Sequence, residues 1–218
     1  MHKNKPIRDN MKKYLLILIS LLATFHIQGQ EIEISAGPTI NNAFYYQFVA
    51  GGPTFKAKIG FISAVSYKYL INKKLNLSLD IFLQHCPVKV VPENTNPPIP
   101  NDQPLHTEKI NLLSFSPGAA YNLNSGFYVS LAPIFTYHTN YETIKDYIIQ
   151  TLDNQTGIGL TLSFGKYIKI KSPLFLNIEP KLCIHNIIPF HDENLPLRVT
   201  TIGINCGLAL RREIKQEQ

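Results

Sequence analysis

The 218-residue chain has no tryptophan, only three cysteines and two methionines, and 17% charged residues. Three cysteines are too few for a disulfide framework, and Cys86, Cys183 and Cys206 have the spacing of no zinc motif. A single continuous apolar run exists, residues 15–24 (LLILISLLAT), well short of the roughly 20 residues that a helix needs to cross a bilayer. A multi-span helical protein is therefore excluded. Apolar residues recur nowhere at a spacing near 3.6, which with 15 Pro and 12 Gly excludes a helical bundle. No glycine-rich phosphate loop and no nucleic-acid motif is present. Gly157, Gly159 and Gly165 alternate along a strand, which suits close packing.

The apolar run comes after Met11-Lys12-Lys13 and precedes Ile27-Gln28-Gly29. A basic start, a short apolar middle and a small residue form the layout of a secretory signal peptide. Cleavage is expected after Gly29 or one residue later, with residues 1–10 an extended basic region or an upstream start before Met11. No cysteine stands at the junction to carry a lipid anchor. The formal charge of +6 suggests an acidic partner, but residues 1–29 hold Lys3, Lys5, Arg8, Lys12 and Lys13 against Asp9 alone. Residues 30–218 keep 16 of 21 basic and 14 of 15 acidic residues, a net charge of +2.

Beyond residue 30 the hydrophobic pattern has period two, which on a strand sends alternate side chains to opposite faces. In residues 75–83 the odd positions are Leu75, Leu77, Leu79, Ile81 and Leu83, while Asn76, Ser78 and Asp80 fall between them. Residues 55–69, 113–121 and 127–137 obey the same odd-numbered rule. The apolar set is even-numbered in the first strand (Ile32, Ile34, Ala36, Pro38, Ile40) and in residues 158–168, 174–184 and 202–210. Eight segments of about ten residues result. Three connections are short, at residues 71–74, 122–126 and 169–173, and rich in Asn, Lys, Ser and Gly. Four are longer, at about 41–54, 86–109, 139–154 and 186–197. The second carries six prolines and is expected to be an extended or mobile loop. Short turns on one rim and long loops on the other mark an up-and-down barrel.

Alternation alone leaves open whether the apolar face points to a core, as in a soluble lipocalin-like binder, or to lipid. Three features favour lipid. Every strand keeps the rule for about the length that a tilted strand needs to cross a bilayer. Aromatics lie near the ends of the apolar face: Tyr67, Tyr69, Tyr121 and Phe127 by the short turns, Phe55, Phe135 and Tyr137 by the long loops. The opposite face interleaves small residues with Glu31, Glu33, Lys56, Lys58, Lys68, Asp80, Glu179, Lys181 and Arg211. Those nine residues are expected to form a charge network in a lumen just wide enough for side chains, since buried charges require partners.

The blocks GFISAVSYKYLINKKLNLSLDIFLQ (residues 60–84) and INLLSFSPGAAYNL (residues 110–123), after a signal peptide and within eight alternating strands, resemble the porin-like outer-membrane β-barrels. These are the small OmpA/OmpX-type barrels of Gram-negative bacteria. The resemblance covers residues 30–212 and implies an all-β, eight-stranded antiparallel up-and-down transmembrane β-barrel. It carries over no catalytic residue. The chain departs from the family pattern at its end: the last strand runs into Leu210-Arg211-Arg212-Glu213 where such barrels usually finish on an aromatic. Pro38, Pro117, Pro133 and Pro180 also fall within strands, where bulges or kinks are expected.

The catalytic possibilities are thin. Ser130, His138, Glu179 and His185 could face the lumen, but Ser130 lies eight residues along its strand from His138. Cys183, His185, Cys86 and His106 offer scattered metal-ligand types with no complete set. The expectation is a monomeric, non-enzymatic barrel of the cell outer membrane, with a signal segment at 1–29, the barrel at 30–212 and a polar tail at 213–218. Its expected partners are outer-membrane lipid, the barrel-insertion machinery and an extracellular partner met through loop 86–109. No cofactor, metal or nucleic acid is expected. A barrel enzyme acting on lipid A or a surface substrate is the alternative, and a secreted lipocalin-like binder the second.

Overall fold

The computed structural model describes residues 30–45, 54–91, 106–140, 152, 154–190 and 197–211. The expected signal segment, the tail 213–218 and the tips of the four long connections lie outside these residues. The described strands are β1 (Gln30–Tyr45), β2 (Thr54–Lys56), β3 (Lys58–Leu70), β4 (Leu75–Val91), β5 (His106–Asn122), β6 (Phe127–His138), β7 (Gly157–Lys171), β8 (Leu174–Pro189) and β9 (Leu197–Arg211). Eight of them form a closed antiparallel ring in the order β1-β3-β4-β5-β6-β7-β8-β9, with β9 paired back to β1. The ninth, β2, pairs only with β4, at the long-loop rim.

The ring is staggered. Stepping from partner to partner, Gln30, Tyr69, Leu77, Ala119, Leu131, Leu162, Leu182 and Ile202 lead back to β1 at Ile40, ten residues from the start. In an eight-stranded barrel such a stagger goes with strands tilted by about 40° and an interior that side chains fill. This is the architecture of the small OmpA/OmpX-type barrels.

The short turns form as their composition predicts. Asn72 Oδ1 accepts from the amides of Lys74 and Leu75 at 2.8 and 2.9 Å, closing β3 onto β4. Between β5 and β6, Ser125 and Gly126 take φ of 63° and 80°.

The apolar sets face outward. Ile34, Leu131, Ile202 and Leu208 are each more than half exposed, while Ser35, Ser66, Ser116 and Thr161 are buried. Outward apolar runs of nine to eleven residues per strand, at about 3.3 Å per residue and a 40° tilt, make a belt roughly 25 Å tall, the height of a membrane barrel's lipid-facing band. The lower edge carries Tyr67, Tyr69, Tyr121 and the stacked pair Phe127–Phe164, centroids 5.5 Å apart. The upper edge carries Phe44, Phe61, Phe135 and Tyr137.

Two expectations are corrected at the upper rim. The long connections begin later than the composition suggests: β1 continues to Tyr45, β4 to Val91 and β8 to Pro189, and β5 starts at His106. Above the belt the apolar parity inverts. On β4 the outward residues become His85, Pro87 and Lys89, and the apolar residues Cys86, Val88 and Val90 turn inward. On β5, Asn111 and Lys109 face out while Ile110 and Leu112 are buried. The reason is the medium outside: lipid below, water above. Phe55 is the second correction. Pairing slips by one residue between Phe61↔His85 and Thr54↔Val91, so the interruption of the strand at Ala57 turns Phe55 inward against the upper core.

The four strand prolines interrupt ladders without bulging them. Pairing of β1 with β9 skips from Ala36 to Thr39, of β5 with β6 from Phe115 to Ala119, and of β7 with β8 from Ser163 to Lys166, all in unchanged register. Each proline remains paired with its other neighbour, because an antiparallel residue directs its N–H to one side only. The register shifts fall elsewhere, between Ile158 and Leu160, opposite Asn186 at φ 51°, and between Lys169 and Lys171. Pro117 and Pro133 face one another across one gap, so two missing donors share it. Ser116 Oγ donates to the Pro133 carbonyl at 2.9 Å, supplying the donor that Pro117 lacks. Ser116→Ala is therefore expected to cost about 1–2 kcal/mol. In a Pro117→Ala background, which restores the N–H, the same change should cost clearly less. Urea midpoints of the four variants in micelles check this, and an equal cost in both backgrounds would remove this role from Ser116.

Candidate functional site

Among the described residues the lumen is the built interior, and it is layered. At the short-turn end β1, β3, β4, β6, β7 and β8, with β9 at the edge, bring a single polar network together. Lys68 Nζ lies 2.9 Å from Glu33 Oε2 and 3.3 Å from Glu31 Oε1, and also donates to the Tyr167 hydroxyl. Tyr167 donates to Glu31. Asn177 Nδ2 spans both Glu33 oxygens at 2.9 and 3.0 Å and donates to Tyr128 OH at 2.7 Å. Tyr128 donates to Glu179, whose other oxygen meets Lys181 Nζ at 2.8 Å. Lys181 reaches Asp80 at 3.6 Å.

Two stacked tyrosines, Tyr128 and Tyr167, with centroids 5.0 Å apart, floor the network. Lys68 Nζ sits 4.8 and 5.1 Å from their ring centroids, close enough for cation–π attraction. The Tyr128 ring has room only because its cross-strand partner is Gly165, where a Cβ would collide with the ring.

Of the nine residues expected in the lumen network, Glu31, Glu33, Lys68, Asp80, Glu179 and Lys181 are buried in it. Arg211 lies at its lower edge, with Nε 3.7 Å from Glu31. Lys56 and Lys58 stand outside it. Lys56 is turned outward by the slip at Ala57, and Lys58 is exposed on the rim beside Asn41. Sequence reasoning missed Tyr128, Tyr167 and Asn177, which link the charges. Their inward parity was readable; that they meet across the lumen was not.

Above the network Ile62, Ala64, Phe82, Ile134 and Cys183 form a small apolar layer. At the long-loop rim lies a larger one: Ala43, Cys86, Val88, Ile110, Leu112, Leu152, Leu197 and Val199, with Phe55 against it. Gln155 ties this cap to β9, donating through Nε2 to the Leu197 carbonyl and accepting from Val199 N, both at 3.0 Å.

The candidate catalytic residues are held apart. His185 Nδ1 bonds Thr136 at 3.1 Å, His138 Nδ1 accepts from Gln155 N at 3.4 Å, and Glu179 is engaged in the lower network. Ser130 lies lower on β6. Among the described residues no group of three or more His, Cys, Asp or Glu is placed to hold a metal. His106 pairs with Glu108 at 3.0 Å within β5. The three cysteines are free, with Cys86 and Cys183 buried and Cys206 facing lipid.

A closed barrel with its apolar face outward, its charges inside and both mouths ringed by aromatics is an integral membrane β-barrel. No protein-family model matches the sequence. No curated protein matches it either. Among solved structures, the chain is similar to the outer membrane protein OprG from Pseudomonas aeruginosa, at 14% identity and TM-score 0.49 over 85% of this chain and 97% of that one. It is also similar to Neisserial surface protein A, at 13% identity and TM-score 0.48 over 85% and 100%. A third likeness is to the outer membrane protein AlkL, at 8% identity and TM-score 0.46 over 88% and 93%. The barrel assignment rests on the closed ladder and the outward apolar belt, not on these likenesses.

Proposed function

We propose that the chain is a monomeric, non-enzymatic barrel of the outer membrane, exported by its signal segment, that works through its extracellular rim while its lumen stays closed. The observation that carries this reading is the double seal of the lumen. An ion-paired network fills the lower half, and an apolar cap of eight buried residues fills the upper mouth. Ions crossing it would have to break buried charge pairs and then enter an apolar plug.

The surface role is supported by the β4–β5 hairpin. Its paired arms continue past the belt from His85↔Asn111 to Val90↔His106. The paired arms run roughly 15–20 Å along the strands beyond the belt edge, into the water on the long-loop side. In planar bilayers the protein is expected to show no conductance steps above the lipid baseline. Steady single-channel steps from the purified, heat-modifiable barrel would overturn the closed-lumen reading, and turnover of lipid A by the same sample would favour the enzyme alternative.

A further inference from the structure

Directly above the apolar belt, the outward face of β2, β4 and β5 carries three lysines on three adjacent strands. Lys56 and Lys89 are ladder partners, and Lys109 is the ladder partner of Pro87, one diagonal step from Lys89. Directly opposed residues have Cβ atoms about 5 Å apart and diagonal ones about 7–8 Å, and like charges so placed destabilise a sheet. None of the three lysines forms an ion pair among the described residues. Below them the exposed His85 bonds Asn111 at 2.7 Å, and below that pair the surface turns to lipid-facing Leu83, Leu113 and Phe115.

We propose that this face binds the phosphate-bearing headgroup of a lipid in the loop-side leaflet, with the acyl chains lying on the belt beneath. The inference rests on the outer-membrane reading of the barrel. The position selects a lipid over a soluble anion: the cations stand just above the apolar surface, where a headgroup sits when its chains are buried. A phosphate group between Lys56, Lys89 and Lys109 would turn their mutual repulsion into charge-assisted hydrogen bonds.

The test uses the full chain folded in zwitterionic micelles, with folding verified by heat-modifiable migration, and diphosphorylated lipid A as the probe. Lipid A retained by the barrel is read by native mass spectrometry. The wild type is expected to retain it, and the Lys56→Gln/Lys89→Gln/Lys109→Gln variant to lose at least tenfold in retention while migrating as a folded barrel. Lys73→Gln/Lys74→Gln, at the opposite rim, should stay within twofold of wild type. Dephosphorylated lipid A should be held no better by wild type than by the triple variant. No retention by wild type, equal retention by the triple variant, or equal retention of the dephosphorylated probe would each overturn the proposal. A chain that fails to form a heat-modifiable barrel would instead overturn the membrane reading on which it rests.

Discussion

Leu79→Arg is expected to abolish insertion of the folded barrel, leaving the chain in the unfolded, heat-insensitive band. Leu79 is the middle of the five outward apolar residues Leu75, Leu77, Leu79, Ile81 and Leu83 on β4, and is flanked in the ladders by Tyr67 and Pro117. That position is near the midplane of the belt, where a cation facing lipid costs about 2–4 kcal/mol. Marginal stability leaves little to absorb such a loss. Neither interface is within easy reach, because four residues of tilted strand separate Leu79 from Leu75 and from Leu83 at the edges of the belt. Leu79→Phe should be tolerated, and so should Ser78→Ala, one residue away but facing the lumen. Equal loss from Leu79→Arg and Ser78→Ala, or normal insertion of the arginine variant, would refute the assignment of faces.

Lys68→Met is expected to destabilise the inserted barrel by about 3–5 kcal/mol, the cost of removing one partner from a buried ion cluster. Lys68 is the shared cation of Glu31 and Glu33 and the donor to Tyr167, and it is 5% exposed. Without it, two carboxylates about one strand pleat apart keep one cation, Arg211 at 3.7 Å from Glu31, with the Asn177 amide on Glu33 and the Tyr167 hydroxyl on Glu31. The methionine keeps an unbranched apolar side chain of similar length at the site, so the loss chiefly reports the charge, including its attraction to the Tyr128 and Tyr167 rings. Adding Glu33→Gln to Lys68→Met should recover part of the loss, since the excess charge falls by one. Urea unfolding in micelles measures all three proteins. A double variant no more stable than the single one would show that Lys68 acts through packing, and the charge account would fail.

These two outcomes separate what could be read along the chain from what could not. The outward face was legible because lipid imposes one rule on every strand: an alternate apolar side chain for the whole depth of the belt. The sets Ile32–Ile40 and Leu75–Leu83 obey it in opposite parity, and the structure exposes both. The turn at residues 71–74 was legible from Asn72, whose side chain caps its own turn. Above the belt the rule fails because the external medium becomes water. Cys86, Val88 and Val90 still alternate, but inward, so they look like the start of a loop to a search for outward apolar residues. The signal was present in the consecutive pair Leu112-Leu113, where burial passes from the inner to the outer face at the membrane edge. The strand prolines misled for a related reason: one missing N–H removes a bond on one side of a strand only, and the intact ladder on the other side holds the register.

Alternation along the chain dictates long amphipathic strands and the composition places three tight turns, because each of these is set by neighbours within a few residues, while the charges collected on the polar faces of all the strands turn the apolar face to lipid. The tertiary structure alone decided the ten-residue stagger and therefore which side chains meet inside. Lys68 and Tyr167 are 99 residues apart in the chain, and Glu31 and Tyr167 are 136 apart. Their meeting depends on the radius and tilt of the closed ring, which no single strand or hairpin specifies. The same closure gathers Ala43, Cys86, Ile110, Leu152 and Leu197 from five segments into the cap that seals the mouth. Hydrogen-bonded registers are local, but contacts across a lumen are set only when the last strand pairs with the first.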